Sequence, residues 1–163
     1  MMAIVQRVSR AAVRRRTGEK LGAIGRGLVV LLCAEVGDDV EHAQWMIRRL
    51  AGLRIFEDAD GRMNLDCRQV QGAFLVISQF TLAADTRRGH RPSFMGAALP
   101  DVAAPLVDRV GAGLRELGFT VECGAFGAAM EVELVNDGPV TIPLRSRENA
   151  LSSAGDQRSQ SQK

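Results

Sequence analysis

The sequence predicts one α/β domain in which buried strands alternate with two amphipathic helices. Two continuous apolar runs, at residues 28–32 and 73–77, each follow a glycine and are typical of strands buried on both faces. Two other segments place apolar residues at helical spacing. The chain has 163 residues, which suits a single domain with a substantial core.

In the first half, residues 2–8 and 11–16 are predicted to be two strands, and Gly18 and Gly22 mark a turn or hairpin. The first buried strand, 28–32, follows Gly27. Asp38 or Asp39 can cap the first helix. Its predicted inner face consists of residues at helical spacing, Val40, Ala43, Ile47, Leu50 and Ala51.

In the second half, residues 58–61 have turn chemistry, and no glutamate follows at the spacing that a calcium loop needs. Pro100 begins the second helix, whose predicted apolar stripe is Val102, Leu106, Val110, Leu114 and Leu117. Residues 131–135 and 140–144 are predicted strands, joined by a tight turn at 136–139. The polar segment 147–163 has almost no apolar residue and is expected to be a disordered tail.

Composition favours a soluble cytoplasmic protein without a metal or other cofactor. The three cysteines are an odd number, widely separated, and lack metal-ligand spacing, so we expect reduced thiols. Residues 1–10 lack the apolar run of a signal peptide. The longest apolar stretch, 28–34, is too short to span a bilayer, so no membrane association is expected.

Charge is unevenly distributed although the net charge is only +2. Residues 1–26 contain seven Lys or Arg against a single acidic residue, Glu19. A second basic cluster contains Arg87, Arg88 and Arg91, with His90 among them. These clusters suit a polyanion such as RNA, and a merely solvated charged face is the alternative.

Ser78 and Thr81 are hydroxyl residues at the end of the second buried strand, a common location for chemistry. Neither lies in a nucleophile-elbow motif, and the sequence offers no specific acid for a Ser-His-Asp triad with His42 or His90. The Gly138–Pro139 bond can be cis at a cost of about 0.5–1 kcal/mol. Local sequence alone favours a plain hairpin turn.

Four motifs occur in series: SQFTL at 78–82, GHRPSF at 89–94, FGAAM at 126–130 and NDGPVT at 136–141. Together they closely resemble the D-aminoacyl-tRNA deacylases, over about residues 1–146. The resemblance implies a single domain, 1–146, with mixed, largely antiparallel sheets packed with helices in layers. It also implies a homodimer with active sites between subunits. Cys33 and Pro143 depart from the family pattern and are expected to affect packing only.

The resemblance implies a hydrolase that cleaves the ester bond of D-aminoacyl-tRNA, in chiral proofreading during translation. Ser78, Gln79, Phe80 and Thr81 would form one wall of the site. Gly138 and Pro139 of the partner subunit, joined by a cis peptide, would form the other wall and reject L-aminoacyl-tRNA. Phe126 and Met130 match positions that hold the terminal adenosine of the tRNA, and Arg7 matches a position that braces the Gly138–Pro139 loop.

An aminoacyl ester is reactive, so its hydrolysis depends mainly on a placed water and a site that stabilises the oxyanion. Backbone amides near Phe80 and Thr81 can supply that site, and a tRNA ribose hydroxyl can orient the water. Glycyl-tRNA, including glycine mischarged on tRNA-Ala, has no side chain to reject and should also be cleaved. Two alternatives stay open: Thr81 as a covalent nucleophile, and a tRNA-binding module without catalysis.

Overall fold

The computed structural model describes residues 1–87 and 89–147, which build a curled sheet flanked by two α-helices. Most of the predicted tail, 147–163, lies outside these residues. The elements follow in the order β1 (Met2–Arg15), β2 (Lys20–Ile24), β3 (Gly27–Cys33), α1 (Val40–Ala51), β4 (Phe56–Glu57), β5 (Met63–Leu65), β6 (Ala73–Ser78), a 3-10 helix (Phe80–Ala83), α2 (Pro100–Glu116), β7 (Val121–Cys123) and β8 (Met130–Arg145).

The main sheet has the strand order β2-β1-β3-β6-β7. The strand β8 lies off this path and also pairs with β1. The pairs β1–β2, β1–β3 and β1–β8 are antiparallel, whereas β3–β6 and β6–β7 are parallel. A separate two-stranded sheet joins β4 and β5. The prediction of a mixed, largely antiparallel α/β domain is therefore confirmed.

The central strands β3 and β6 are buried on both faces, as their continuous apolar runs predicted. One face packs against α1 and α2 through a large apolar cluster that includes Leu28, Val30, Phe74, Met46 and Val110. The opposite face lies inside the curl of the sheet and packs against β1 and β2 through Val29, Leu75, Ile77, Val8, Val13 and Ile24. Packing on both faces holds β3 and β6 in place, and their C-terminal ends lie side by side at one edge of the sheet.

The helices begin where the sequence predicted them. Of the two candidate caps for α1, Asp39 is the N-cap, and its carboxylate accepts the N–H groups of Glu41 and His42 at 2.9 and 3.2 Å. Pro100 begins α2. The predicted stripe of α2 is wrong at both ends: Val102 and Leu117 are exposed. Ala103 takes the inward position near the start, and Leu117 follows the end of the helix.

Two predicted boundaries are wrong for the same physical reason. Residues 2–8 and 11–16 do not form two strands but one, because β8 pairs with β1 on both sides of the predicted break. The predicted hairpin turn at 136–139 is likewise a bulge inside β8. Asn136 pairs with Val8 and Thr141 with Gln6, so β8 carries three more residues than β1 here. The Gly138–Pro139 peptide is cis, as predicted.

Among the described residues, no helix is long and apolar enough to cross a membrane.

Gly27 offers a test of the contact between β3 and β6. A Cβ atom at Gly27 would lie 1.9 Å from the carbonyl oxygen of Ala73, so the two strands would have to separate. We expect Gly27→Ala to lower the free energy of unfolding by about 1–3 kcal/mol. At Gly25 a Cβ would meet nothing within 4 Å. Gly25→Ala should therefore change stability by less than about 0.5 kcal/mol. Equal denaturant midpoints for the two variants would contradict this account.

Candidate active site

A cleft of about 580 Å³ opens at the edge where β3 and β6 end. The strands are parallel, with Leu32 beside Ser78, so the residues that follow both strands emerge side by side. The backbone N–H of Gln79 donates to the carbonyl of Leu32 at 2.8 Å, which fixes the chain as it leaves β6. This edge is where open α/β sheets commonly hold their ligands.

Three parts of the chain line the cleft: the ends of β3 and β6, the segment that leads into α2, and the segment that leads into β8. Five of the nine predicted site residues meet here, namely Ser78, Gln79, Phe80, Phe126 and Met130. The other walls are mainly small or apolar side chains, including Ala97, Leu99, Ala103 and Val107. The cleft is therefore an apolar slot with a few polar groups at one end, the usual character of a small-molecule site.

The 3-10 helix after Gln79 presents hydrogen-bond donors at this end. Within the part of the chain that the structure describes, the backbone N–H groups of Phe80 and Thr81 donate to no other protein group. The Thr81 hydroxyl oxygen accepts a hydrogen bond from the Gln79 side-chain amide at 2.5 Å. That partner is an amide and not a base, so nothing in this contact activates the hydroxyl.

Histidine contributes nothing to the cleft lining. His42 lies on α1, where its Nδ1 atom is 2.6 Å from Asp39 and its Nε2 atom 3.2 Å from Arg147. His90 is exposed and is absent from the lining. Among the lining residues of the described chain, Cys33 carries the only side chain that titrates. The described residues also contain no group of three His, Cys, Asp or Glu placed to hold a metal ion.

Cys33 is the cleft residue that the sequence analysis missed, because it was expected to affect packing only. Its Sγ atom lies 3.3 Å from the carbonyl oxygen of Ala34 and 3.7 Å from that of Phe80. Burial, assisted by the nearby charge of Glu35, raises the pKa of the Cys33 thiol to about 11. The thiol is therefore protonated near neutral pH and is not a ready nucleophile. Its position at the end of a strand that leads to the site was the available signal.

Of the other four predicted site residues, Thr81 directly follows the lining residue Phe80, and Gly138, Pro139 and Arg7 form a second cluster away from the cleft. Along β8, Val132 lines the cleft, and Gly138 follows six residues later. At the rise of an extended strand, this separation is on the order of 20 Å. One chain therefore does not bring Gly138 and Pro139 to its own cleft.

Arg7 is 3% exposed and contacts the residue that precedes Gly138 in this bulge. Its Nε atom donates to the carbonyl oxygen of Asp137 at 2.8 Å, and its Nη1 atom donates to the carbonyl oxygen of Ile55 at 2.7 Å. Glu57 lies 3.5 Å from the guanidinium. These contacts match the bracing role expected of Arg7, while its effect on activity stays a prediction.

Described residues of both basic clusters lie next to segments that line the cleft. Arg15 pairs with Met130 in the β1–β8 ladder, and the N–H of Arg16 donates to Ala129 at 3.1 Å. On the other side, an Asp85–Ser93 bridge closes the loop that leads to Phe94, whose ring packs against Phe80 at 5.2 Å. Within that loop the Arg87 guanidinium holds the pKa of Asp85 well below its usual range. Arginine side chains thus lie on both sides of the apolar slot, with Arg15 paired to Glu19 and Arg87 to Asp85.

Comparisons with known proteins agree with this architecture. A family model described as D-Tyr-tRNA(Tyr) deacylase matches residues 4–145. A D-aminoacyl-tRNA deacylase from Anaeromyxobacter dehalogenans (strain 2CP-C) is 56% identical, and the match covers 90% of this chain and 98% of that relative. One from Roseiflexus sp. (strain RS-1) is 55% identical, with 90% and 94% covered.

Solved structures share the fold. One named c-Myc DNA Unwinding Element Binding Protein has a TM-score of 0.84 at 38% identity, and the match covers 91% of this chain and all of that one. A probable eukaryotic D-amino acid tRNA deacylase has a TM-score of 0.74, with 88% and 97% covered. At 17% identity, the second likeness concerns the fold alone.

The protonated state of Cys33 can be measured directly. We expect iodoacetamide at pH 8 to modify Cys33 in the folded protein at least tenfold more slowly than in the urea-unfolded protein, because the thiolate is scarce and the sulfur is buried. Mass spectrometry after timed quenching gives both rates for the same peptide. Equal rates in the folded and unfolded protein would show a reactive thiol and would require a cysteine nucleophile to be considered.

Proposed function

The chain belongs to the D-Tyr-tRNA(Tyr) deacylase family, whose members are hydrolases acting on ester bonds, and from that premise we propose how this chain acts on D-aminoacyl-tRNA. It cleaves the ester that joins the D-amino acid to the tRNA and releases both. The observation that carries the proposal is the cleft itself. Two motifs distant in sequence, 78–81 and 126–130, meet around one apolar slot with polar groups at one end.

The reaction proceeds by water attack without a protein nucleophile. The cleft lining in the described chain offers no carboxylate, histidine or amine as a general base. The ester is intrinsically reactive, so placing water and stabilising the oxyanion supply most of the needed acceleration. The N–H groups of Phe80 and Thr81 are the donors for the oxyanion. A ribose hydroxyl of the tRNA itself orients the water.

The terminal adenosine occupies the apolar part of the cleft. Phe126 is 40% exposed and so presents a ring surface to a flat base, and Met130 supplies an adaptable apolar contact beside it. The phosphates that precede the adenosine would meet the basic clusters on either side of the cleft. Neutralising these phosphates releases counterions, so this part of the binding weakens as the salt concentration rises.

The second wall comes from another copy of the chain. Gly138 lies six residues along β8 from Val132, which lines the cleft of the same subunit, a separation on the order of 20 Å, so Gly138 and Pro139 can complete a site only in a homodimer. The strand that carries them, β8, also exposes the apolar side chain of Val135, which lies outside the cleft lining.

Chirality is checked at this second wall. A carbonyl of Gly138 or Pro139 of the partner subunit captures the substrate amino group, and the adjoining surface leaves no room for an L side chain. Glycine has no side chain to reject, so glycyl-tRNA, including glycine mischarged on tRNA-Ala, is also hydrolysed. The enzyme then acts in translation quality control in the cytoplasm, where the free thiols of Cys33, Cys67 and Cys123 stay reduced.

Hydrolysis of matched esters tests the proposed function. D-alanyl, L-alanyl and glycyl esters on one tRNA present the same leaving group and differ only at the α-carbon. We expect kcat/KM for the D-ester to exceed that for the L-ester by at least a hundredfold, with the glycyl ester cleaved too. Equal rates for D and L would remove chiral proofreading. Tight tRNA binding with no turnover of any ester would favour the binding-module alternative.

The variant Thr81→Ala separates water attack from covalent catalysis. Because, within the described residues, the only hydrogen bond of the hydroxyl is the one from the Gln79 amide, its loss should lower the single-turnover rate by less than about tenfold. A loss of about a thousandfold, the scale of removing a central catalytic group, would instead support Thr81 as the nucleophile. Trapping of an acyl group on Thr81 in acid-quenched wild-type enzyme gives an independent readout.

A further inference from the structure

We infer that Asn136 is a positioning residue that sets the shape of the Gly138–Pro139 loop, and through it the strictness of discrimination between D- and L-esters. The inference rests on the proposed function, in which this loop forms the chirality-checking wall. Asn136 does not contact the substrate in this account. It acts through the main chain of the loop.

The side chain of Asn136 closes the loop at its base with two hydrogen bonds to one residue. Its Oδ1 atom accepts the backbone N–H of Val140 at 2.7 Å, and its Nδ2 atom donates to the carbonyl oxygen of Val140 at 3.2 Å. In a bulge, the extra residues have no partner on the neighbouring strand. The Asn136 amide therefore replaces the missing strand partner for both backbone groups of Val140.

The position of Val140 in turn controls Gly138. A Cβ atom at Gly138 would lie 2.5 Å from the Cγ2 atom of Val140 and 2.7 Å from its backbone nitrogen, so the loop is folded tightly against this residue. Val140 is 5% exposed and packs into the core, so the residue against which the loop folds is itself held in place. A shift of Val140 would move the surface that Gly138 presents.

The opposite side of the loop is held independently. Arg7 binds the carbonyl oxygen of Asp137 at 2.8 Å, so Arg7 fixes the entry to the loop while Asn136 fixes its exit. The β1–β8 ladder continues on both sides of the bulge, at Val8 with Asn136 and at Gln6 with Thr141. Removing the Asn136 amide should therefore loosen the loop while the sheet stays paired, so specificity and folding can be separated by experiment.

Graded substitutions test the inference. Asn136→Ala removes both bonds to Val140, whereas Asn136→Asp keeps an acceptor for the Val140 N–H and loses the donor to its carbonyl. Thr141→Val is the matched control, because it removes the contacts of the exposed Thr141 hydroxyl with Asn136 Nδ2 at 3.3 Å and Gln6 Nε2 at 3.2 Å and leaves both bonds to Val140 in place. The measurement is kcat/KM for matched D- and L-esters on one tRNA, with folding followed by circular dichroism.

We expect the D-to-L ratio of kcat/KM to fall at least tenfold in Asn136→Ala and by a smaller factor in Asn136→Asp. Thr141→Val should keep the wild-type ratio. An unchanged ratio in folded Asn136→Ala, even with lower stability, would overturn the inference. If Asn136→Ala does not fold, an unchanged ratio in Asn136→Asp overturns the inference equally.

Two other outcomes concern the proposed function. Wild-type protein that fails to distinguish D-esters from L-esters would contradict the proposed function. An unaltered D-to-L ratio in folded Gly138→Ala would show that the loop takes no part in the chirality check.

Discussion

The antiparallel pairing of β8 with β1 is the constraint on which the arrangement of the site depends. It begins at Met130, which lines the cleft, and runs to Arg145 beside Met2. The Gly138–Pro139 bulge interrupts it partway along. Because a paired strand is stiff, the ladder fixes the separation between cleft and bulge within one chain. A site that needs both must therefore take them from two chains.

The cleft is notable for the chemical groups that line it. Apolar side chains, one protonated thiol and a few amide and hydroxyl groups are suited to place a reactive ester and a water molecule, and poorly suited to move protons. The charged groups are placed elsewhere: Arg7 is buried beneath the bulge, where backbone carbonyls of Ile55 and Asp137 offset the cost of removing it from water. Charge serves structure at the bulge, and in the proposed function it binds the tRNA phosphates beside the cleft.

The sequence predicted features that depend on local chemistry. The buried runs of β3 and β6, the cap at Asp39 and the proline that begins α2 all follow from residue type and spacing. The motifs also identified five side chains that meet in the cleft. The bulge at 136–139 was misread because Asn, Asp, Gly and Pro suit a hairpin turn and a bulge equally, and only the distant strand β1 decides between them. Cys33 was missed because its burial and its contact with Phe80 arise from tertiary packing.

Subunit complementation tests the central claim, a site shared between two chains. Ala128→Trp would obstruct the cleft of its own subunit, and Gly138→Ala would damage the wall that this subunit gives to its partner. In a purified heterodimer with one variant in each chain, one of the two sites would contain both lesions and the other neither. With shared sites, we expect D-ester hydrolysis near half the wild-type rate, well above either variant homodimer. Heterodimers no more active than those parents would show that each chain builds its site alone.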